Sequence, residues 1–136
     1  MRFTLISLRF SLLLLGAAGG ALPALAQGSG LSPQYEACLE KAGGVTLPMV
    51  ECIVAEHGRQ DKRLNTTYHA LMAELEPQRK PQLQAAQRLW VQYRDANCSF
   101  YLDPEGGSQA RVAANACRLH MTAQRAEELS GLKQLR

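Results

Sequence analysis

The sequence predicts an all-α fold, a small disulfide-stapled antiparallel helical bundle with one short and three longer helices. Three observations carry this. Apolar residues recur at three- and four-residue spacings, and no stretch after the first 26 residues alternates with period two long enough for a strand. Proline and glycine clusters cut the periodic stretches into four segments. The connections between them are short, which makes consecutive helices antiparallel neighbours.

Each element has its own start and stop. Ser32-Pro33 opens the first helix with a capping hydroxyl and a proline at the first helical position. It runs through Tyr35, Cys38 and Leu39 and stops at Gly43-Gly44. Thr46 and Pro48 begin a second helix whose apolar positions include Met49, Ile53, Leu64, Tyr68, Leu71 and Leu75. Gly58 and the polar run 59–63 interrupt its stripe and leave a kink possible there. Pro77 and Pro81 mark a corner. Beyond it Leu83, Ala86, Trp90, Tyr93, Asn97 and Tyr101 form the expected seam of a third helix. Asp103-Pro104-Glu105-Gly106-Gly107 is a strong turn, and Ser108 is expected to cap a fourth helix with Val112, Ala116, Leu119, Ala123, Ala126 and Leu129 on one side.

The first residues precede this fold. Arg2 and Arg9 flank an apolar run at Leu12 to Leu15, and Ala24-Leu25-Ala26 follows as a small-x-small site. This order reads as a secretory signal peptide over residues 1–26, too short and glycine-rich for a comfortable membrane span. Cleavage leaves residues 27–136, enough for a single domain, in the periplasm or secreted. Losing the two arginines reduces fifteen basic side chains to thirteen, against twelve acidic ones. A near-neutral, interspersed balance gives no footprint for nucleic acid or for a membrane surface.

Four cysteines lie in the exported part, and an even count in a small exported domain reads as two disulfides with three possible connectivities. Cys38 and Cys52 lie nearly equidistant from the turn near Val45, as do Cys98 and Cys117 from Gly106-Gly107. Positions equidistant from a helical turn face one another within disulfide reach, which selects 38–52 and 98–117.

The stretch "LWVQYRDANCSFY" gathers the single tryptophan, an Arg-Asp pair and a cysteine. Trp90 and Tyr93 fall on the expected seam, so the cluster reads as packing. Arg94 and Asp95 project about 100° apart as helix neighbours and are not expected to pair. Arg94 is expected to clamp onto the fourth helix, for instance through a carboxylate there. No base or nucleophile stands beside it, and Cys98 is committed to its disulfide. His57, His69 and His120 show no i, i+4 metal spacing. Cys52, Glu56 and His57 are close in sequence, but the disulfide claims Cys52. The chain has no C-x-x-C pair and no G-x-S-x-G elbow. Asn65-Thr66-Thr67 and Asn97-Cys98-Ser99 match glycosylation triplets but fall inside expected helices. The reading is a non-enzyme without catalytic residues, metal or cofactor.

Taken together, "CLEKAGGVTLPMVECIVAEHGRQDKRLNTTYHALMAEL", "LQAAQRLWVQYRDANCSFY" and the later "C…RAEEL" resemble the LprI-like lysozyme inhibitor family. The matching positions are Leu64, Asn65, Tyr68 and Leu71, then Gln87, Trp90, Tyr93, Arg94, Asp95 and Cys98, and finally Cys117, Thr122, Arg125 and Leu129. The resemblance covers nearly all of the chain beyond the signal. It implies an exported helical domain, with lysozyme inhibition attributed to some members, so a lysozyme is the expected partner. Family lipoproteins carry a lipidation cysteine after the signal; this chain has none there, so no membrane anchor is expected after cleavage.

Several readings compete. An inhibitor would bind by protein–protein contact, and the polar tip with Asp103, Glu105 and Ser108 is the candidate contact, alongside its reading as an ordinary capped turn. Leu64, Asn65, Tyr68, Gln87, Trp90, Tyr93, Arg94, Asp95 and Arg125 are read as the structural core of the motif. The rival function is a periplasmic interaction or structural module of the envelope without lysozyme activity. A third is a hydrolase or a binding protein for a small ligand lodged between its helices.

Overall fold

A computed structural model describes residues 30–134, so the expected signal peptide over 1–26 lies outside the described residues. Four helices occupy them: α1 (Pro33–Ala42), α2 (Thr46–Glu74), α3 (Lys80–Phe100) and α4 (Gly107–Gln134). No strand occurs among the described residues.

The punctuation works as its chemistry dictates. The Ser32 hydroxyl accepts from the Tyr35 amide at 3.3 Å, and Pro33 follows. Gly43 ends α1 at φ 55°, where a Cβ would be strained, and its N–H reaches the carbonyls of Leu39 and Glu40. α2 runs unbroken through Gly58, since one glycine costs a helix less than its flanking packing supplies. Ser108 is not a cap: α4 begins at Gly107, and the Ser108 hydroxyl instead accepts from Thr46 Oγ1 at 3.3 Å.

Both disulfides join the expected pairs, Cys38–Cys52 with Cα atoms 5.7 Å apart and Cys98–Cys117 at 5.5 Å. They staple α1 antiparallel to α2 and α3 antiparallel to α4. Consecutive helices alternate in direction, so α2 and α4 run parallel. The pairs Thr46–Ser108, His57–Thr122 and Arg63–Glu127 mark their common register. This parallel pair is the principal interface, with α1 laid on α2 and α3 on α4.

The core has two apolar parts. Tyr35, Ile53 and Leu119 anchor one; Leu64, Leu71, Leu75, Ala126 and Leu129 form the other. Between them lies a polar waist of Glu56, Gln60, Thr122 and Arg125, all buried. Among the described residues, every buried side-chain nitrogen and oxygen has a hydrogen-bond partner.

α3 keeps three positions of its expected seam and loses three. Leu83, Trp90 and Asn97 face inward together with Gln87, Arg94 and Cys98, while Ala86, Tyr93 and Tyr101 are exposed. The inward stripe is half polar, so a search for apolar periodicity picks neighbouring positions. Tyr93, at 62% exposure, is therefore a flank residue and no part of the core.

Candidate functional site

Trp90 stands on α3 against the apolar cluster of Leu64, Leu71 and Leu129 and stays half-buried. Two guanidinium groups lie near its ring, Arg94 at 5.2 Å and Arg125 at 5.8 Å from the centroid. Arg125 comes from α4, where its Nε donates to Gln87 Oε1 at 3.0 Å and its Nη1 pairs with Glu128 at 2.7 Å. Arg94 Nη1 donates to Thr122 Oγ1 at 3.2 Å, so the expected clamp onto α4 is present, with a hydroxyl in place of a carboxylate.

The expectation that Arg94 and Asp95 stay apart is overturned. Arg94 Nη2 lies 2.9 Å from Asp95 Oδ1, and Nε lies 3.0 Å from the same oxygen. The angular separation holds at the Cβ atoms, but the long arginine stem bends back around the helix and brings the guanidinium to its neighbour. Asp95 is exposed and Arg94 mostly covered, so the pair neutralises a charge lying over Trp90.

Thr122 joins a third helix to this chain of contacts. His57 Nε2 of α2 lies 3.2 Å from the Thr122 hydroxyl. Arg94 can only donate to that oxygen, so the hydroxyl proton is free to point at His57. A neutral imidazole accepts it. Burial, reinforced by the Arg94 charge, pushes the His57 pKa below its ordinary value.

The other polar node ties α1 to α2. Glu56 is fully buried and accepts from the Ser32 amide at 2.9 Å and the Ser32 hydroxyl at 2.6 Å. Arg59 Nε at 2.6 Å and Gln60 Nε2 at 2.8 Å complete its shell. Burial alone would raise this carboxyl, but the hydrogen bonds from Ser32, Gln60 and Arg59 outweigh it and hold the pKa at about 2. Gln60 also donates to the Gly30 carbonyl at 2.7 Å. Glu56 and Gln60 were missed as inward residues. Their signal was their place: they continue the Cys52 position at four-residue steps into Leu64.

The remaining motif residues divide by burial. Leu64 is core, and Tyr68 is half-buried beside it. Asn65 is exposed and bonds only Asp61 of its own helix at 3.1 Å, so it makes no interhelical tie. Asp103, Glu105 and Ser108 are exposed on the α3–α4 loop, where Asp103 Oδ1 accepts from the Glu105 amide at 2.9 Å. Phe100, Tyr101 and Leu102 are exposed immediately before them, Phe100 at 85%. The contact of Thr46 with Ser108 brings Val45 and Leu47, also exposed, to the same end. That end therefore carries five of the nine large apolar side chains exposed among the described residues.

These groups hold helices together and present a surface; they form no nucleophile–base pair. Among the described residues no three His, Cys, Asp or Glu side chains gather as a metal site, and no helix is long and apolar enough to cross a membrane.

Such an architecture is that of a small disulfide-stapled helical domain with an uncovered end. The family model described as lysozyme inhibitor LprI matches residues 28–129, and the chain belongs to that family, which is one of inhibitors and not of enzymes. Comparison with curated proteins and with solved structures yields no match.

Proposed function

We propose that this chain is an exported protein that binds and blocks a lysozyme by protein–protein contact, through the bundle end bearing Asp103, Glu105 and Ser108. The family membership supplies the partner class. The observation that carries the contact is the exposure of Phe100, Tyr101, Leu102, Val45 and Leu47 at the bundle end that also bears two loop carboxylates. Exposed apolar side chains rimmed by polar groups are the usual make-up of a protein interface. Lysozyme cleaves between carboxylates in a cleft on a basic protein. The loop's Asp103 and Glu105 suit that basic surface, and the near-neutral whole supplies little long-range steering. The motif residues around Trp90 serve this reading by fixing α3 on α4, and hence the loop between them.

The test is cell-wall hydrolysis by a lysozyme with and without the purified 27–136 protein. Inhibition is expected, and replacing 103–108 by a neutral Gly-Ser turn should weaken it while leaving the melting curve nearly unchanged. A folded protein that leaves turnover untouched would favour the envelope module instead. Export should show as a mature protein beginning at Gln27.

A further inference from the structure

The opposite end of the bundle holds a concavity, unrelated to the loop. α3 packs on α4 and scarcely on α2, so the α2–α3 corner stands open. Leu71 and Leu75, both buried, make its floor; Leu83, Ala86 and Leu132 make its walls. Its volume is about 370 Å³, at the small end of the roughly 300–1,000 Å³ typical of small-molecule sites. The polar side chains on the lining are Arg79 and Gln82.

Arg79 is the charged member. It is exposed at the corner and forms no ion pair among the described residues. Arg88, Arg111 and Arg118 likewise form no ion pair among the described residues, but none of them lines the groove. Glu76, one turn earlier, meets Arg79 only through its backbone carbonyl, at 2.9 Å. An apolar trough with one unneutralised guanidinium on its lining complements a molecule of the converse design: one hydrocarbon chain ending in one anionic head.

From this geometry we infer that the groove formed by Leu71, Leu75, Leu83, Ala86 and Leu132 binds a free single-chain carboxylate amphiphile, a fatty acid, with Arg79 and Gln82 holding the carboxylate. The small volume suits one chain and excludes the two chains of a phospholipid. The site is independent of lysozyme binding and stands or falls separately from it.

Calorimetric titration of the 27–136 protein with dodecanoate, kept below micelle formation, tests the inference. Trp90 fluorescence provides a second readout, because Trp90 packs against the apolar cluster to which Leu71 and Leu75 belong. Saturable binding of one dodecanoate per chain is expected. Dodecyl maltoside, with an uncharged head, should bind at least about tenfold more weakly, the value of one charge-assisted hydrogen bond. Arg79→Gln should remove that preference, and Ala86→Phe, which fills the trough from an exposed position, should abolish binding at an unchanged melting temperature. The 103–108 loop variant should bind dodecanoate like the unaltered protein. Absence of saturation, equal affinity for the two heads, or wild-type affinity in Arg79→Gln would each overturn the inference. So would attachment to anionic phospholipid vesicles without binding of free dodecanoate, or a concentration-dependent dimer that Ala86→Phe dissolves.

Discussion

Glu56 is a charge taken out of water and kept ionised by four donors from three residues. Removing the acceptor leaves those donors orphaned, so Glu56→Ala should cost about 1–3 kcal/mol, seen as a lowered denaturation midpoint. Its pKa is depressed from an ordinary 4.5 to about 2, so the unfolded chain binds the proton first. The contribution of Glu56 is therefore complete above about pH 4.5 and is lost as pH falls toward 2. His57 is depressed too, by burial first and by the Arg94 charge second. Its contribution is likewise full above its ordinary 6.5 and declines as pH falls from there. A melting temperature followed from pH 7 down should drop in two stages, and His57→Gln should flatten the upper one alone. A single drop below pH 4.5 in the unaltered protein would refute the role given to His57. Trp90 is half-buried, so Trp90→Ala should cost about 2–3 kcal/mol, below the roughly 3–5 kcal/mol of a fully buried aromatic.

The helices themselves were legible because their boundaries are written in local chemistry. Ser32-Pro33, Gly43-Gly44, Pro77 and Pro81, and the Asp103–Gly107 turn each fix a start or stop through a few neighbouring dihedrals. The faces were less legible, and the reason is common to α2 and α3. Glu56 and Gln60 on α2, and Gln87 and Arg94 on α3, point inward because partners elsewhere satisfy them. Those partners lie 24 to 38 residues away, where spacing along one helix carries no information. Tyr93 and Asn65 erred the other way: their residue types suit a core or a tie, but the narrow strip between helices does not include them. Gly58 offers a direct check on α2. It is exposed within an unbroken helix, and an added Cβ there meets nothing within 4 Å. Gly58→Ala should therefore stabilise the protein by about 0.5–1 kcal/mol, read from chemical denaturation. A loss of stability would mean that the helix needs a glycine at that point.

Neither disulfide crosses the principal interface between α2 and α4. Each closes a local hairpin, of sequence separation 14 in one case and 19 in the other. In the chain-entropy treatment each contributes about 3 kcal/mol, and the two sites share no partner. Replacing Cys38 and Cys52 by alanine, or Cys98 and Cys117, should lower stability by about that much, and the quadruple variant should lose close to the sum. A quadruple loss well below that sum would reveal coupling through the α2–α4 seam. Of the candidate surface, the sequence made the polar loop visible because turn residues announce themselves. The apolar half was hidden, because the proximity of Val45 and Leu47 to that loop depends on the parallel packing of helices distant in sequence.

The pairing of each cysteine with the next one along the chain bears on how the protein is made. The first two thiols can be oxidised before the second half of the polypeptide is present, and the last two can follow without any choice of partner. A simple oxidant that joins thiols in order of arrival thus yields the native bonds, and reshuffling by an isomerase has nothing to correct. The α2–α4 seam is the opposite case. Its contacts lie 62 to 65 residues apart, so it waits for almost the whole polypeptide. Closing each hairpin thus needs only a short stretch of sequence, whereas docking the hairpins needs contacts between distant ones.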